Sequence, residues 1–428
     1  MIKKIVLWFL IVMLGVLFSQ IECIPDKTSV SLKSGDIFVF TINNPQPIDI
    51  SIKVYDKNGK YIRTLYEKAT IETNFKVPWN LKDAIGNQAV TGEYTIKIRT
   101  GLKLVLDAEF GENGIIGDFI SPRNVRVDKK GNIYVLDYGA GIIYKFNPDG
   151  SPANDIGGKN KIVGPSSPFW NNIAVDEEGK IYASYNHYVY VYDGKTGQHI
   201  YSIGGFHQND VLWEKIKGGL GWPNWVGLNA NYRLYVSCPG YTYFSAFDRR
   251  KPGKEGGLWR SKGGAPGESG DTDGKRAIYL AHAYYRNRNG ITKWIDKDTD
   301  VEIAYSITEI NDPIKKTKEK MTNVYGVAFD GEYGIFLIQR DPVRILKIAD
   351  NGFGFDFVKQ FGSVGNDASK LEFITPIDAV VSPDGKFLYI IEDGEPISKT
   401  NTTPGLARLI KYKITYDGEK EIKVKIVE

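Results

Sequence analysis

The stretch PRNVRVDKKGNIYVLDYGAGIIYKFNPDG, from Pro122 to Gly150, decides the architecture of most of this chain. Val125 and Val127 alternate with polar neighbours, as a half-buried strand requires. Asp128-Lys-Lys-Gly131 is a turn, because Asp bonds its own backbone and Gly supplies a positive φ. Ile133 to Leu136 is a nearly continuous apolar run, expected for a strand covered on both faces. Ile143 to Phe146 makes a third strand, closed by the turn Asn147-Pro-Asp-Gly150. The core of this unit returns along the chain as NIYVLD, KIYASY, RLYVSC, AIYLAH, GIFLIQ and FLYIIE. The recurring aromatics are Tyr134, Tyr182, Tyr235, Tyr279, Phe336 and Tyr389, spaced by 48, 53, 44, 57 and 53 residues. A repeat near fifty residues, built from short strands and turns, is the mark of a propeller blade.

These residues resemble the NHL-repeat family of six-bladed β-propellers. The family unit reads Pro, an apolar strand ending in Asp, a Gly turn, Ile-Tyr-Val and a further Asp. The resemblance covers Lys103 to the C-terminus and is closest in the first, second, fifth and sixth repeats. In the third repeat no turn Asp follows Leu228. In the fourth, only Asp271-Thr-Asp-Gly274 and Ile278-Tyr-Leu fit, and no first strand is recognisable. The family Asp after the second strand survives as Asp137, with Glu392 in its place in the last repeat.

Upstream, DISIKVYDKNGKYIRTLYEK pairs two alternating strands across Asp56-Lys-Asn-Gly59, and a Trp79 strand, a turn at Asp83 to Gly86 and a strand from Tyr94 follow. The elements V-Y-D-x-x-G-K, W-x-x-x-D-x-x-G and G-x-Y-x-I resemble the immunoglobulin-like domain of flagellar hook-capping proteins, a small sandwich that spaces or docks other domains. The expected fold is therefore all-β: an Ig-like β-sandwich over residues 25–101, then a six-bladed propeller over 103–428. Two segments compete for the ring-closing fourth strand of the last blade. One is Lys103 to Phe110, and the other is the alternating run Glu421 to Val427.

Lys3-Lys4 precede fourteen apolar residues, Ile5 to Phe18, and a polar exit ending at Pro25. That is the layout of a secretory signal peptide, and the run is short for the roughly 20 residues of a membrane span. Residues 1–24 are thus expected to be a cleaved leader, with an N-terminal anchor as the alternative and lipidation at Cys23 third. The location expected is secreted or cell envelope. After cleavage in that region, Cys238 has no thiol partner and no internal disulfide forms. With 55 basic against 51 acidic residues and no Lys/Arg cluster, bulk affinity for nucleic acid or anionic membranes is not expected.

In a propeller the entrances of first strands and the exits of second strands share one face. Aligning the repeats puts Asn124, Asn172, Trp225, Tyr325 and Asp378 near first-strand entrances. Asp137, Tyr185, Cys238, His282, Gln339 and Glu392 end second strands. These polar, blade-specific positions suit a funnel that binds a protein or carbohydrate partner, whereas a purely structural ring would tend to repeat one residue. No catalytic residue and no cofactor is expected on this reading. The alternative is a lactonase-like hydrolase or lyase with an axial divalent cation, calcium in particular, on oxygen ligands from Asn124, Asn172, Asp378 and Glu392. A three-His zinc site is disfavoured: His187 and His282 fall near that face, but His199 and His207 lie in a strand-turn region. Asp296-Lys-Asp298-Thr-Asp300 lacks the Gly and Glu of a calcium loop and reads as a turn. Trp213, Trp222, Trp225, Trp259 and Trp294 crowd the third and fourth repeats, as wedges between blades or as an exposed partner anchor. Gly253 to Gly274 reads as a flexible surface loop.

Overall fold

A computed structural model describes residues 21–33, 35–43, 48–167, 169–206, 218–239, 243–261, 267, 269–281, 289–393 and 406–428. Apart from 3-10 residues such as Ala368–Lys370, their regular structure is β. The chain divides into two compact units, one of residues 1–102 with 416–428 and one of residues 103–415.

The larger unit is a succession of antiparallel meanders. The first sheet is Pro122–Val127, Ile133–Asp137, Ile142–Phe146 and Lys161–Val163, in that spatial order. Sheets of the same order begin at Asn172–Val175, Trp225–Leu228, Ser269–Thr272 and Val324–Phe329. A sixth path runs Pro376–Val381, Phe387–Glu392, the start of Arg408–Val427, and the end of Gly92–Leu106. The innermost strands touch in sequence all the way round, the last against the first. This is a β-propeller.

The repeated aromatic explains itself in three dimensions. Tyr134, Tyr182, Tyr235, Tyr279, Phe336 and Tyr389 all sit in second strands, fully buried. They pair across the sheet with Arg126, Ala174, Gly227, Asp271, Ala328 and Val380 of the innermost strands. A buried tyrosine needs a partner for its hydroxyl. Tyr134 donates to Asp128 at 3.2 Å and Tyr182 to Asp176 at 3.0 Å. Those aspartates also close the preceding turns: Asp128 accepts the amides of Lys130 and Asn132, and Asp176 those of Glu178 and Lys180. Where the third repeat lacks the turn Asp, Asn229 accepts the amides of Asn231 and Arg233 instead. Tyr235 then donates to Asp296 of the next sheet at 2.7 Å.

Two expectations change. The innermost strand of the fourth sheet, Ser269–Thr272, and the outermost strand of the third, Gly257–Arg260, both lie inside the stretch read as a flexible loop. Gly270 is there for close packing: a Cβ would meet Leu280 and the Tyr279 carbonyl at 2.5 Å each, with the Trp225 ring at 3.2 Å. The propeller also ends at Thr415 and does not run to Glu428. Ile422, Val424 and Ile426 belong to the core of the first unit, with Phe40, Ile52, Val77, Trp79 and Ile96. Of the two candidates for ring closure, the N-terminal one pairs with the last blade, because alternate residues of 421–427 already have a core to fill.

The first unit puts Glu22–Pro25, Phe38–Asn43 and Phe75–Trp79 in one three-stranded sheet. Ile50–Asp56, Tyr61–Lys68, residues 92–102 and residues 416–427 form another, with Ser29–Ser31 parallel to the last. The Asp56 turn is as the sequence implies, its carboxylate accepting the amides of Asn58 and Lys60 and Gly59 at φ +76°. Asp83 does the same for Ile85 and Asn87. Cys23 lies half-buried in the first strand, and residues 1–20 of the leader lie outside the described residues.

Candidate functional site

Side chains at the entrances of the innermost strands reach sideways to the next sheet. Asn124 Oδ1 accepts the amide of Ile173 at 3.0 Å, and Asn172 Oδ1 that of Val226 at 3.3 Å. Asp378 Oδ2 accepts the amide of Val125 at 3.2 Å across the seam where the ring closes. In each case the acceptor bonds the amide just past its own equivalent in the following sheet. The third sheet uses a different group for the same purpose: Trp225 Nε1 donates to the Gly270 carbonyl at 2.8 Å. The fourth works one pleat deeper, with Asp271 accepting the amide of Phe329 at 2.9 Å. These links satisfy inward-facing amides that no sheet ladder reaches.

Above this belt lies a cavity of about 290 Å³. Arg123, Asn124, Asn171, Asn172 and Asn224 line one side, and Ser269, Tyr325, Arg340, Ile377, Asp378 and Asp393 the other. Asn124, Asn172, Tyr325 and Asp378 were legible from the repeat alignment. Their neighbours Arg123, Asn171, Asn224, Ile377, Arg340 and Asp393 were not, although each stands next to a residue that was singled out. In the first, fifth and sixth sheets the strand ends are irregular, with register shifts at Leu136/Asp137, Val324/Gly326 and Pro376/Asp378, which accounts for Arg123, Arg340 and Ile377. A bulge of this kind leaves two successive residues on one side.

The other candidates are placed elsewhere. Asp137, Gln339 and Glu392 are fully buried and hold loops. Asp137 accepts the amides of Ile120, Ser121 and Ala140, and Glu392 those of Ile374 and Thr375. Gln339 bridges Arg344 and the Asp341 carbonyl. Trp225 is buried, Tyr185 packs on Phe169 at 4.0 Å, and burial pushes the Cys238 thiol up to about 12. His282, like His207, Trp213 and Tyr241, lies outside the described residues. His187 is buried against the Leu220 carbonyl and His199 bonds Ser202. Asp296 to Asp300 is the expected turn, with the Asp298 amide on Asp296. Trp225, Trp259 and Trp294 wedge between the third and fourth sheets, whereas Trp222 is 54% exposed.

Of the oxygen set considered for an axial cation, Asn124, Asn172 and Asp378 line the cavity and Glu392 does not. The amide oxygens of Asn124 and Asn172 are taken by backbone amides, and Glu392 is held by Arg408 at 2.5 Å, away from the cavity lining. Among the described residues no group of three or more His, Cys, Asp or Glu is arranged to hold a metal ion. Just below the cavity, Arg126 meets Asp378 Oδ2 at 2.8 Å, and Asn124 Nδ2 meets the same oxygen at 2.5 Å. Burial raises the Asp378 carboxyl, with Arg126 opposing. Asp271 is raised to about 6, first by burial and further by Asp378, again against Arg126.

Asp271 therefore makes stability depend on pH. Its folded-state value lies above the usual 3.8, so the folded chain keeps a proton that the unfolded chain has lost. That contribution is whole below about pH 4 and disappears as pH rises through about 6. At 1.36 kcal/mol per unit it amounts to ~3 kcal/mol. Asp271→Asn should gain on the wild type by that order between pH 4 and 7 in urea unfolding. A constant difference across that range would show that Asp271 titrates normally.

No protein-family model matches the chain, and no curated protein matches it. Among solved structures, the chain is similar to the WD40 repeats of RRP9, with TM-score 0.47 and 11% identity over 73% of this chain and all of that one. A structural genomics protein of unknown function from Bacteroides thetaiotaomicron VPI-5482 matches at TM-score 0.47 and 13% identity, over 93% of this chain and 99% of that one. The virginiamycin B lyase of Staphylococcus aureus matches at TM-score 0.44 and 10% identity, over 73% and 100%. The likeness is one of fold.

Proposed function

We infer that this chain is an exported, non-catalytic binding protein of the cell surface or envelope. In this reading a six-bladed, NHL-like propeller offers its axial cavity to a protein or glycan partner, and an Ig-like module at residues 25–101 with the C-terminal strand spaces or docks it. The observation that carries the reading is the cavity itself, where polar side chains from the entrances of successive sheets converge: Asn124, Asn172 and Asn224 with Tyr325, Asp378 and the rim arginines Arg123 and Arg340. The leader-like run Ile5 to Phe18 behind Lys3-Lys4 supports export, and the commitment of Asn124, Asn172 and Glu392 to structural bonds weighs against the cation-dependent hydrolase.

Asn224→Trp should fill the cavity from its rim without touching the ring of inter-sheet bonds. Arrays of soluble saccharides and peptides, probed with wild type and variant, give the test. Binding by the wild type that the variant loses, at an unchanged unfolding midpoint, is the expected result. Equal binding by both would place the partner on another surface, and turnover of a lactone or ester by the wild type would reinstate the enzyme.

A further inference from the structure

The ligand class follows from which charges around the cavity are already committed, an argument that rests on the binding reading above. The acids are engaged: Asp378 Oδ2 holds Asn124, Val125 and Arg126, and Asp393 accepts the Ser121 hydroxyl at 3.1 Å. The two rim arginines are not, since neither Arg123 nor Arg340 has an ion-pair partner among the described residues. Both are held by stacking instead. The Arg123 guanidinium lies 3.4 Å from the centre of the Tyr138 ring, and that of Arg340 4.6 Å from Tyr325. Stacking fixes a guanidinium plane while leaving its edge donors open, the arrangement that takes a planar carboxylate two bonds at a time.

Beyond the arginines the lining is largely neutral and polar: Asn171, Asn224 and Tyr325 offer amide and hydroxyl donors and acceptors that suit hydroxyl groups on the same ligand. The volume of about 290 Å³ falls just below the ~300–1,000 Å³ usual for small-molecule sites, room for one ring and not for a folded peptide segment. We propose that the axial cavity is a subsite for a single carboxylated sugar, a hexuronate free or at the end of a chain. Arg123 and Arg340 hold its carboxylate, and Asn171, Asn224 and Tyr325 hold its hydroxyls.

Calorimetric titration of the full chain with glucuronate and galacturonate, against glucose, galactose and glutamate, tests this at neutral pH. The uronates should bind at least ~tenfold more tightly than the neutral sugars, the discrimination expected when one charge-assisted pair is lost. Arg340→Gln should remove that margin and leave neutral-sugar affinity where it was. If Arg340→Gln does not fold, Arg123→Gln should show the same loss. Equal affinity for uronate and neutral sugar overturns the acidic class but leaves a glycan partner standing. Glutamate binding without sugar binding overturns the sugar class. No sugar binding, with a peptide captured in a manner that Asn224→Trp abolishes, overturns this proposal and keeps the protein-partner reading. Binding lost to none of these variants overturns both.

Discussion

Arg408→Ala lowers the stability of the propeller by about 3–5 kcal/mol, the scale of removing one partner from a buried ion pair. Arg408 Nε meets Glu392 Oε2 at 2.5 Å, and its other nitrogens donate to the carbonyls of Asn366 at 2.9 Å and Glu372 at 3.1 Å. Glu392 Oε1 in turn holds the amides of Ile374 at 2.6 Å and Thr375 at 3.1 Å, on the approach to the last innermost strand. The pair therefore knits the loop before Pro376 to two strands of the same sheet. Without the guanidinium, a fully buried carboxylate is left with backbone amides alone, and burial already raises its pKa. Chemical unfolding followed by circular dichroism gives the measurement. Glu392→Gln should also destabilise, by less, while leaving ligand affinity within twofold of wild type. A loss smaller than about 1 kcal/mol for Arg408→Ala, or a ligand that no longer binds Glu392→Gln, would return Glu392 to the list of binding residues.

Trp259→Ala should cost about 3–5 kcal/mol, the usual penalty for deleting a buried indole. The side chain is 1% exposed, packs 5.6 Å from the Phe244 ring and 6.2 Å from Tyr235, and donates from Nε1 to Asp296 Oδ1 at 3.2 Å. It stands between the third and fourth sheets with Trp225 and Trp294, so the cavity it leaves opens a blade seam and not a surface. Trp259→Phe keeps much of the ring and loses the hydrogen bond, and should retain more than half of the stability lost by the alanine variant. A near-neutral Trp259→Ala would mean that the seam closes without it, and that the tryptophans of this region serve a partner instead.

Much of this was legible because it is local. An aspartate that caps its own turn, as at Asp56, Asp83, Asp128 and Asp176, needs only residues two to four further on. The second-strand aromatics were legible for the same reason, since a strand buried on both faces must be apolar along its length. The fourth sheet was harder to read. Ser269–Thr272 has no apolar run, because its inward layer carries Asp271 and its close approach to Trp225 requires Gly270. Without a neighbouring sheet in view, glycine and small polar residues look like a loop.

Among the candidate site residues the division is equally physical. The alignment of repeats found the right turn of the right strands, and Asn124, Asn172, Tyr325 and Asp378 do line the cavity. It had no means of separating them from Asp137, Gln339 and Glu392, which are polar, blade-specific and fully buried. Nor did it see Arg123 and Arg340, since a bulge at the strand end changes which of two adjacent residues faces the axis.

The sequence by itself determined the repeat, the turn chemistry and the β class, all set by contacts between near neighbours. Only the tertiary structure decided which strand completes the last blade, which polar side chains link one sheet to the next, and which line the cavity. Those depend on groups such as Asn124 and Asp378, 254 residues apart and 2.5 Å from each other. No short window of sequence contains both ends of such a bond.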